Sequence, residues 1–410
     1  MNKKFNIATL MLATSLAFVG CANDTTKEAD TKEETVVEEK TEETVDTADK
    51  ATETETDTEE TKTEETDTEA DTKEEASDKE TNESSDEGEK EDEQSATSDD
   101  NAEEGNVVLH RAYPDEASRS FTNVVVATSG DKIVGAFIDE YQYFDKDENY
   151  QAVPNSDAEF GKGAKEGRVL ASKVANKDLY SEAMKEAGGE VTLMDNYNAV
   201  TDFVKGKTIA ELEDFLNEND DEQIIDALSG ATFKSIPNLL KYVVEAAKDD
   251  AFAISGNAEN PEDIELRYVL GAPHGEKSFA NAVVAVEDDK IVAASIDEYQ
   301  YIEEGITKQG EGSDFAKDYA DSKTVLASKL ENNDLYSDLM AEKAGSTTTI
   351  VENFEAIENF VAGKTIDEIK ETIESAKEGE AIDAVSEATL VDTANYLQLI
   401  IDAVENPINK

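Results

Sequence analysis

Ile138-Asp139-Glu140-Tyr141-Gln142-Tyr143 is written a second time, unchanged, as Ile296-Asp297-Glu298-Tyr299-Gln300-Tyr301. Its surroundings repeat as well. Asp178-Leu179-Tyr180-Ser181 returns as Asp334-Leu335-Tyr336-Ser337, Gly206-Lys207-Thr208-Ile209 as Gly363-Lys364-Thr365-Ile366, and Asp226-Ala227 as Asp383-Ala384. The offset stays near 157 residues, so one unit is duplicated with few insertions. Two tandem domains of one fold are expected, over 106–254 and 264–410, with a linker from Ser255 to Asp263 where Gly256, Asn257, Asn260 and Pro261 cluster.

The quoted segment ends a β-rich run in each copy. Asn123 to Thr128 and Lys132 to Glu140 flank Ser129-Gly130-Asp131 and read as a hairpin, repeated by Ala280 to Glu287 and Lys290 to Glu298. Helical spacing follows. Tyr197, Val200, Phe203 and Val204 share one face, as do Phe354, Ile357, Phe360 and Val361. Thr208 with Glu211, and Thr365 with Glu368, have the spacing of capping boxes, in which the hydroxyl and the carboxylate each take an orphan amide. Ile236 to Ala247 and Ala394 to Val404 read as closing amphipathic helices. The expected class is α+β, each copy an antiparallel sheet with helices packed on it.

Of 410 residues, 98 are Asp or Glu and 37 are Lys or Arg, a formal net charge of -61. Much of that charge is local. Ala22 to Gly105 holds 36 acidic and 8 basic residues, no aromatic, Leu, Ile or Met, and only three valines. Such a stretch cannot offset the entropy of ordering itself and reads as a disordered acidic tether over 21–105, able to reach about 280 Å at full extension. From Asn106 onward 62 acidic and 27 basic residues remain, acidic but foldable. A basic footprint for nucleic acid is absent. One Cys, two His and no Trp exclude a disulfide scaffold, a Cys/His zinc site and iron-sulfur clusters, each of which needs several thiolates or imidazoles together.

The leader, 1–20, has Lys3 and Lys4 before an apolar run from Phe5 to Val19. It reads as an export signal. Phe18-Val19-Gly20-Cys21 resembles a bacterial lipobox, with Phe18 where Leu is usual, which implies diacylation of Cys21 and anchorage to the outer face of the cell membrane. No later apolar stretch reaches the roughly 20 residues that span a bilayer.

One segment carries chemistry. Asp226-Ala227-Leu228-Ser229-Gly230-Ala231-Thr232 stands before the last helix of the first copy. With the two-copy layout and the export signal, it resembles the FMN-binding domain family, whose pattern of Asp, two residues and Ser-Gly-Ala-Thr is met at every fixed position. The resemblance implies FMN joined by a phosphoester to Thr232, placed there by a flavin transferase that uses FAD and a divalent metal. It implies cofactor-binding roles for Asp226, Ser229, Gly230 and Ala231. The second copy reads Asp383-Ala384-Val385-Ser386-Glu387-Ala388-Thr389, so Thr389 keeps its register while Glu387 replaces the Gly. The bulk and charge of Glu387 are expected to limit modification there, giving one or two FMN per chain. A helix opening near Ser235 and Pro237 would aim free amides at the phosphate.

Further candidates are Tyr141, Tyr143, Tyr299 and Tyr301, which could stack on the flavin ring but more often pack a core. Gly161-Lys162-Gly163-Ala164-Lys165-Glu166-Gly167-Arg168 is a Gly-rich basic loop that could touch the phosphate, with a solvated loop preferred; the second copy has Gly310, Gly312 and Lys317 there at another spacing. His110 and His274 do not align and receive no role. The resemblance implies an electron carrier similar to the two-domain flavinylated lipoproteins of Gram-positive extracellular electron transfer. Such a carrier would take electrons from a membrane quinone-linked oxidoreductase and pass them to ferric iron or soluble flavins. The competing expectation is a surface adhesive or ligand-binding lipoprotein without a redox role. A peptide pheromone cut from the leader, around Ala13 to Gly20, is an added expectation beside the carrier role.

Overall fold

The repeated segment lies in the longest strand of each half. The structure, a computed structural model, describes residues 105–114, 119–146, 148–307, 313–377 and 381–410. The expectations for the leader, Cys21 and the tether, and for Gly310 and Gly312, lie outside the described residues. Strands β1 (Asn106–Ala112), β2 (Ser120–Ser129), β3 (Lys132–Asp145), β4 (Arg168–Ser172) and β5 (Ile254–Asn257) form an antiparallel sheet in the order β4-β3-β2-β1-β5. Strands β6 (Glu265–Gly271), β7 (Ser278–Glu287), β8 (Lys290–Glu303) and β9 (Thr324–Ser328) form a second, in the order β6-β7-β8-β9. Both expected hairpins are present, and each carries a register shift at the matching place, Ala127/Thr128 and Ala285/Val286.

Helices α1 (Lys177–Glu186), α2 (Leu193–Val204), α3 (Ile209–Glu218), α4 (Asp221–Ala227) and α5 (Ile236–Ala246) follow the first sheet. Helices α6 (Asn333–Ala344), α7 (Ile350–Val361), α8 (Ile366–Ser375) and α9 (Thr393–Glu405) follow the second. Leu193, Tyr197, Val200 and Val204 are buried along one side of α2, and Ile350, Phe354, Ile357 and Val361 along α7. Both expected capping boxes form, at Thr208 with Glu211 and Thr365 with Glu368. The Gly-Lys-Thr-Ile repeat pins the helices to the sheet: Gly206 N–H donates to Ile133 O at 2.8 Å, and Ile133 N–H donates to Lys207 O at 2.9 Å. Gly363 and Lys364 make the same pair of bonds with Ile291.

Alternation along β3 and β8 separates two faces. Ile138 and Glu140, like Ile296 and Glu298, face the helices, where Tyr197 and Tyr396 donate to the two glutamates. Asp139, Tyr141 and Tyr143, like Asp297, Tyr299 and Tyr301, face the other sheet. The two sheets therefore pack face to face with helices outside both. Their shared seam is aromatic and polar. Phe121, Tyr141, Phe279 and Tyr299 stack within it, and Tyr141 and Tyr268 share a hydroxyl contact of 2.5 Å. Arg111 of β1 is fully buried there, donating to Asn123, Asn281 and Ser295 at 2.8–2.9 Å.

The segment expected as a linker is instead structured. Ile254–Asn257 is β5, hydrogen-bonded to β1, and Pro261–Asp263 is a single 3-10 turn. Both halves belong to one compact unit. Along the outer edge of β6, Ile408 N–H donates to Tyr268 O, and the Asn409 side chain bonds both Tyr268 N–H and Leu266 O, covering that edge.

Burial leaves acids in this interior that prefer to be neutral. Glu358 of α7 accepts Ile296 N–H at 2.6 Å, and burial pushes its carboxyl from an ordinary 4.5 to about 8, the hydrogen bond and Arg111 acting the other way. Burial likewise pushes Asp139 from 3.8 to about 6, against hydrogen bonds from Ser172, Val174, Tyr268 and Glu140. A raised carboxyl binds its proton more tightly folded than unfolded, so this contribution is full below about pH 4 and is lost as pH climbs through about 6 to 8. Urea midpoints should therefore fall between pH 5 and 8. Glu358→Gln, which keeps the acceptor, should flatten that fall by an amount on the order of 1–3 kcal/mol. An unchanged slope in the variant would remove Glu358 as its cause.

Candidate functional site

Two turns of the same build carry the expected threonines. In the first half α4 ends at Ala227, Leu228 is buried, and Ala231 N–H donates back to Leu228 O at 3.0 Å. Gly230, at the tip, has a φ of 89°. Thr232 comes out exposed, its N–H donating to Asn196 Oδ1 at 2.8 Å and its hydroxyl facing the same oxygen at 3.4 Å. Phe233 N–H reaches that oxygen too, at 3.0 Å. Asn196 is fully buried on α2, and its amide donates to Thr192 O at 2.8 Å, which fixes which way the group points.

The second half repeats the turn and its asparagine, with no helix like α4 before it among the described residues. Val385 is buried, Ala388 N–H donates to Val385 O, and exposed Thr389 bonds Asn353 Oδ1 through its N–H at 2.7 Å and its hydroxyl at 3.2 Å. Asn353, also fully buried, donates to Thr349 O at 2.7 Å. Asp226, Ser229, Asp383 and Ser386 are exposed around the two turns. A hydroxyl held at a fixed, open turn is reachable by an enzyme that must act on it.

The structure gives the Gly a second meaning. Glu387 stands at φ 78°, the left-handed region that Gly230 occupies at 89°. A residue with a Cβ pays about 1 kcal/mol there. Nothing lies within 4 Å of where a Cβ on Gly230 would sit, so the position demands backbone freedom and does not demand space. Glu387→Gly is expected to stabilise the protein by about 1 kcal/mol, read from urea unfolding, and, if Thr389 is an acceptor, to raise its modification relative to the parent. Full modification in the parent would show that a transferase tolerates the Glu.

Beside Thr389 opens a cleft of about 810 Å³. Its walls come from α6 through Tyr336, Leu339 and Met340, from the following turn Gly345-Ser346-Thr347, and from Tyr396 of α9. Lys329, next after β9, lines it while only 1% exposed, and pairs with buried Glu298 at 3.0 Å. Ser278 and Tyr396 also donate to Glu298. Burial works against the charge on Lys329, but Glu298 and, after it, the Tyr336 hydroxyl hold its pKa above the ordinary value, and the ammonium also stands 4.2 Å from the centre of the Tyr336 ring. The first half has the same pair, Lys173 and Glu140 at 3.0 Å, with Ser120 and Tyr197 donating to Glu140. The phenol comes from different helices: Tyr197 of α2 matches Phe354, and Tyr396 of α9 matches Leu239.

Helix α5 begins at Ile236 with Pro237 in its first turn, and neither Ser235 nor Asp392 makes a side-chain cap on the helix it precedes. Asp392 instead meets His274 Nδ1 at 2.7 Å at the cleft. Tyr141, Tyr143, Tyr299 and Tyr301 are in the seam between sheets, packed as core. The loop from Gly161 to Arg168 neither meets the Thr232 turn nor stands free in solvent, because it joins the halves. Lys165 N–H donates to Asp318 O, Arg168 bonds Asp145 and Asp318, and Gly163 lies so close to the Tyr301 ring that a Cβ would overlap it. His110 is spent on Thr128 at 2.9 Å.

Sequence reasoning missed Asn196 with Asn353 and the two Lys–Glu pairs. Their signal was available: both asparagines interrupt an apolar helix face at an offset of 157, and Ala171-Ser172-Lys173 recurs as Ala327-Ser328-Lys329. Among the described residues no group of three or more His, Cys, Asp or Glu is placed to hold a metal ion, and no helix is long and apolar enough to cross a membrane. Comparison of the chain with protein-family models, with characterised proteins and with solved structures gives no match.

Proposed function

We propose that the chain is an exported, lipid-anchored flavoprotein carrying FMN by phosphoester links on Thr232 and Thr389, and that it passes electrons from a membrane quinone-linked oxidoreductase to acceptors such as ferric iron or soluble flavin. The observation that carries this is the pair of matching turns, each presenting an exposed threonine pinned by a buried asparagine, with a large cleft beside one of them. The cleft's volume falls within the roughly 300–1,000 Å³ typical of cofactor and ligand sites. Its lining suits a ring with apolar faces and a polar edge: Leu339, Met340, Tyr336 and Tyr396 beside Lys329.

FMN, when attached, supplies one- and two-electron transfer, and a covalent link prevents its loss outside the cell. The residues of this chain do the rest. Asn353 holds the backbone on which the ester would be made, α6 and α9 wall the cleft, and Lys329 keeps a fixed positive charge at its buried end. Protein made alongside an FAD-dependent FMN transferase should keep a flavin absorbance after denaturation and desalting. Colourless chain, with the transferase shown active on another substrate, would leave the adhesive or ligand-binding reading in its place.

A further inference from the structure

The Lys329–Glu298 pair is arranged with its cation forward. Both side chains are almost wholly buried, yet Lys329 lines the cleft and Glu298 lies behind it, held by Ser278 and Tyr396. The other charged side chains on the cleft are Lys277, Lys343, Glu159 and Glu276, all exposed and screened by solvent, and Asp392, which meets His274 at 2.7 Å. A buried charge acts through a lower effective dielectric and is felt more strongly by whatever fills the cleft. The pair as a whole is neutral, but a cation nearer than its counter-ion leaves a positive field at the buried end of the cleft, where Lys329 stands.

We propose that Lys329, backed by Glu298, sets the reduction potential of the flavin carried on Thr389 by meeting the ring edge that becomes negative on reduction. This rests on the flavin reading above. In that reduction the quinone-linked donor is oxidised by two electrons, the ring takes them up with one proton, and the remaining negative charge spreads over the pyrimidine edge. A fixed positive charge at that edge favours the reduced form and raises the potential; charge near this part of the ring is one of the means by which proteins tune flavins. Glu298 moderates the effect, so the two residues pull in opposite directions. A pair that merely held the end of β9 against β8 would not.

The test uses the full chain with Thr232→Ala, made with the transferase so that only the Thr389 site can carry flavin, and with its mass confirming attachment. Lys329→Met should lower the midpoint potential by at least a tenfold change in the reduced-to-oxidised ratio, about 30 mV for a two-electron couple. Glu298→Gln should raise it, and Lys329→Arg, which keeps the charge, should leave it near the parent. Should Lys329→Met fail to fold, the Gln and Arg variants still decide the matter. Flavin attached but potentials unmoved, or moved the same way by Lys329→Met and Glu298→Gln, would overturn the inference and leave the flavin reading standing. No flavin on Thr389 would overturn the inference and confine the flavin reading to Thr232.

Discussion

Replacing Arg111 with methionine is expected to cost about 3–5 kcal/mol of folding stability, the size of loss seen when one partner of a buried charge network is removed. The guanidinium satisfies Asn123 and Asn281, which belong to different sheets, as well as the hydroxyl and carbonyl of Ser295. Asp297 and Glu358 are buried close enough to feel its charge. Without it, several acceptors are left dry and the two acids lose their nearest cation. Urea unfolding of the parent and of Arg111→Met measures the difference. A loss under about 1 kcal/mol, typical of an ordinary surface change, would mean that the sheets do not depend on this residue to stay together.

The second large effect is expected at the asparagines. Asn353→Ala removes the acceptor for Thr389 N–H and for its hydroxyl, and should cut flavin occupancy at Thr389 several-fold while leaving Thr232 unaffected. Asn196→Ala should do the reverse. Each also leaves a turn amide without its partner, a loss of about 1–3 kcal/mol. Asn353→Asp keeps an acceptor oxygen and should retain most of the modification. Quantified peptides spanning the two threonines separate these outcomes. Equal loss at both sites from one substitution would point to general unfolding and against local positioning.

What could be read from the sequence was local. The hairpins, the apolar helix faces and the boxes at Thr208 and Thr365 depend on residues a few positions apart, and these were legible. Short strands were not. β1, β4, β6 and β9 have five to seven residues each and lack a turn signal tight enough to mark them. β5 hid inside a Gly-Asn-Pro stretch that reads as a linker, because its partner β1 lies about 150 residues away. The seam was invisible for the same reason. Nothing near Arg111 says that Ser295 will receive it, and Gly163 looks like loop flexibility until Tyr301 is seen against it.

The candidate site divides in the same way. Thr232 and Thr389 stand out because a short pattern contains them, while the residues that hold them in place sit on other elements. Glu387 was legible as a departure, but its φ was not: bulk and charge are properties of the side chain, whereas the left-handed backbone belongs to the turn.

The most direct test is intact mass. The parent, Thr232→Ala, Thr389→Ala and the double variant would each be produced beside an active FAD-dependent FMN transferase and weighed after denaturation. If the two threonines are the acceptors, the parent gains up to two FMN less one water apiece, each single variant loses the share of its own site, and the double variant has the mass of the bare chain. A parent that weighs no more than its own polypeptide, or a double variant that still carries flavin, would contradict the assignment.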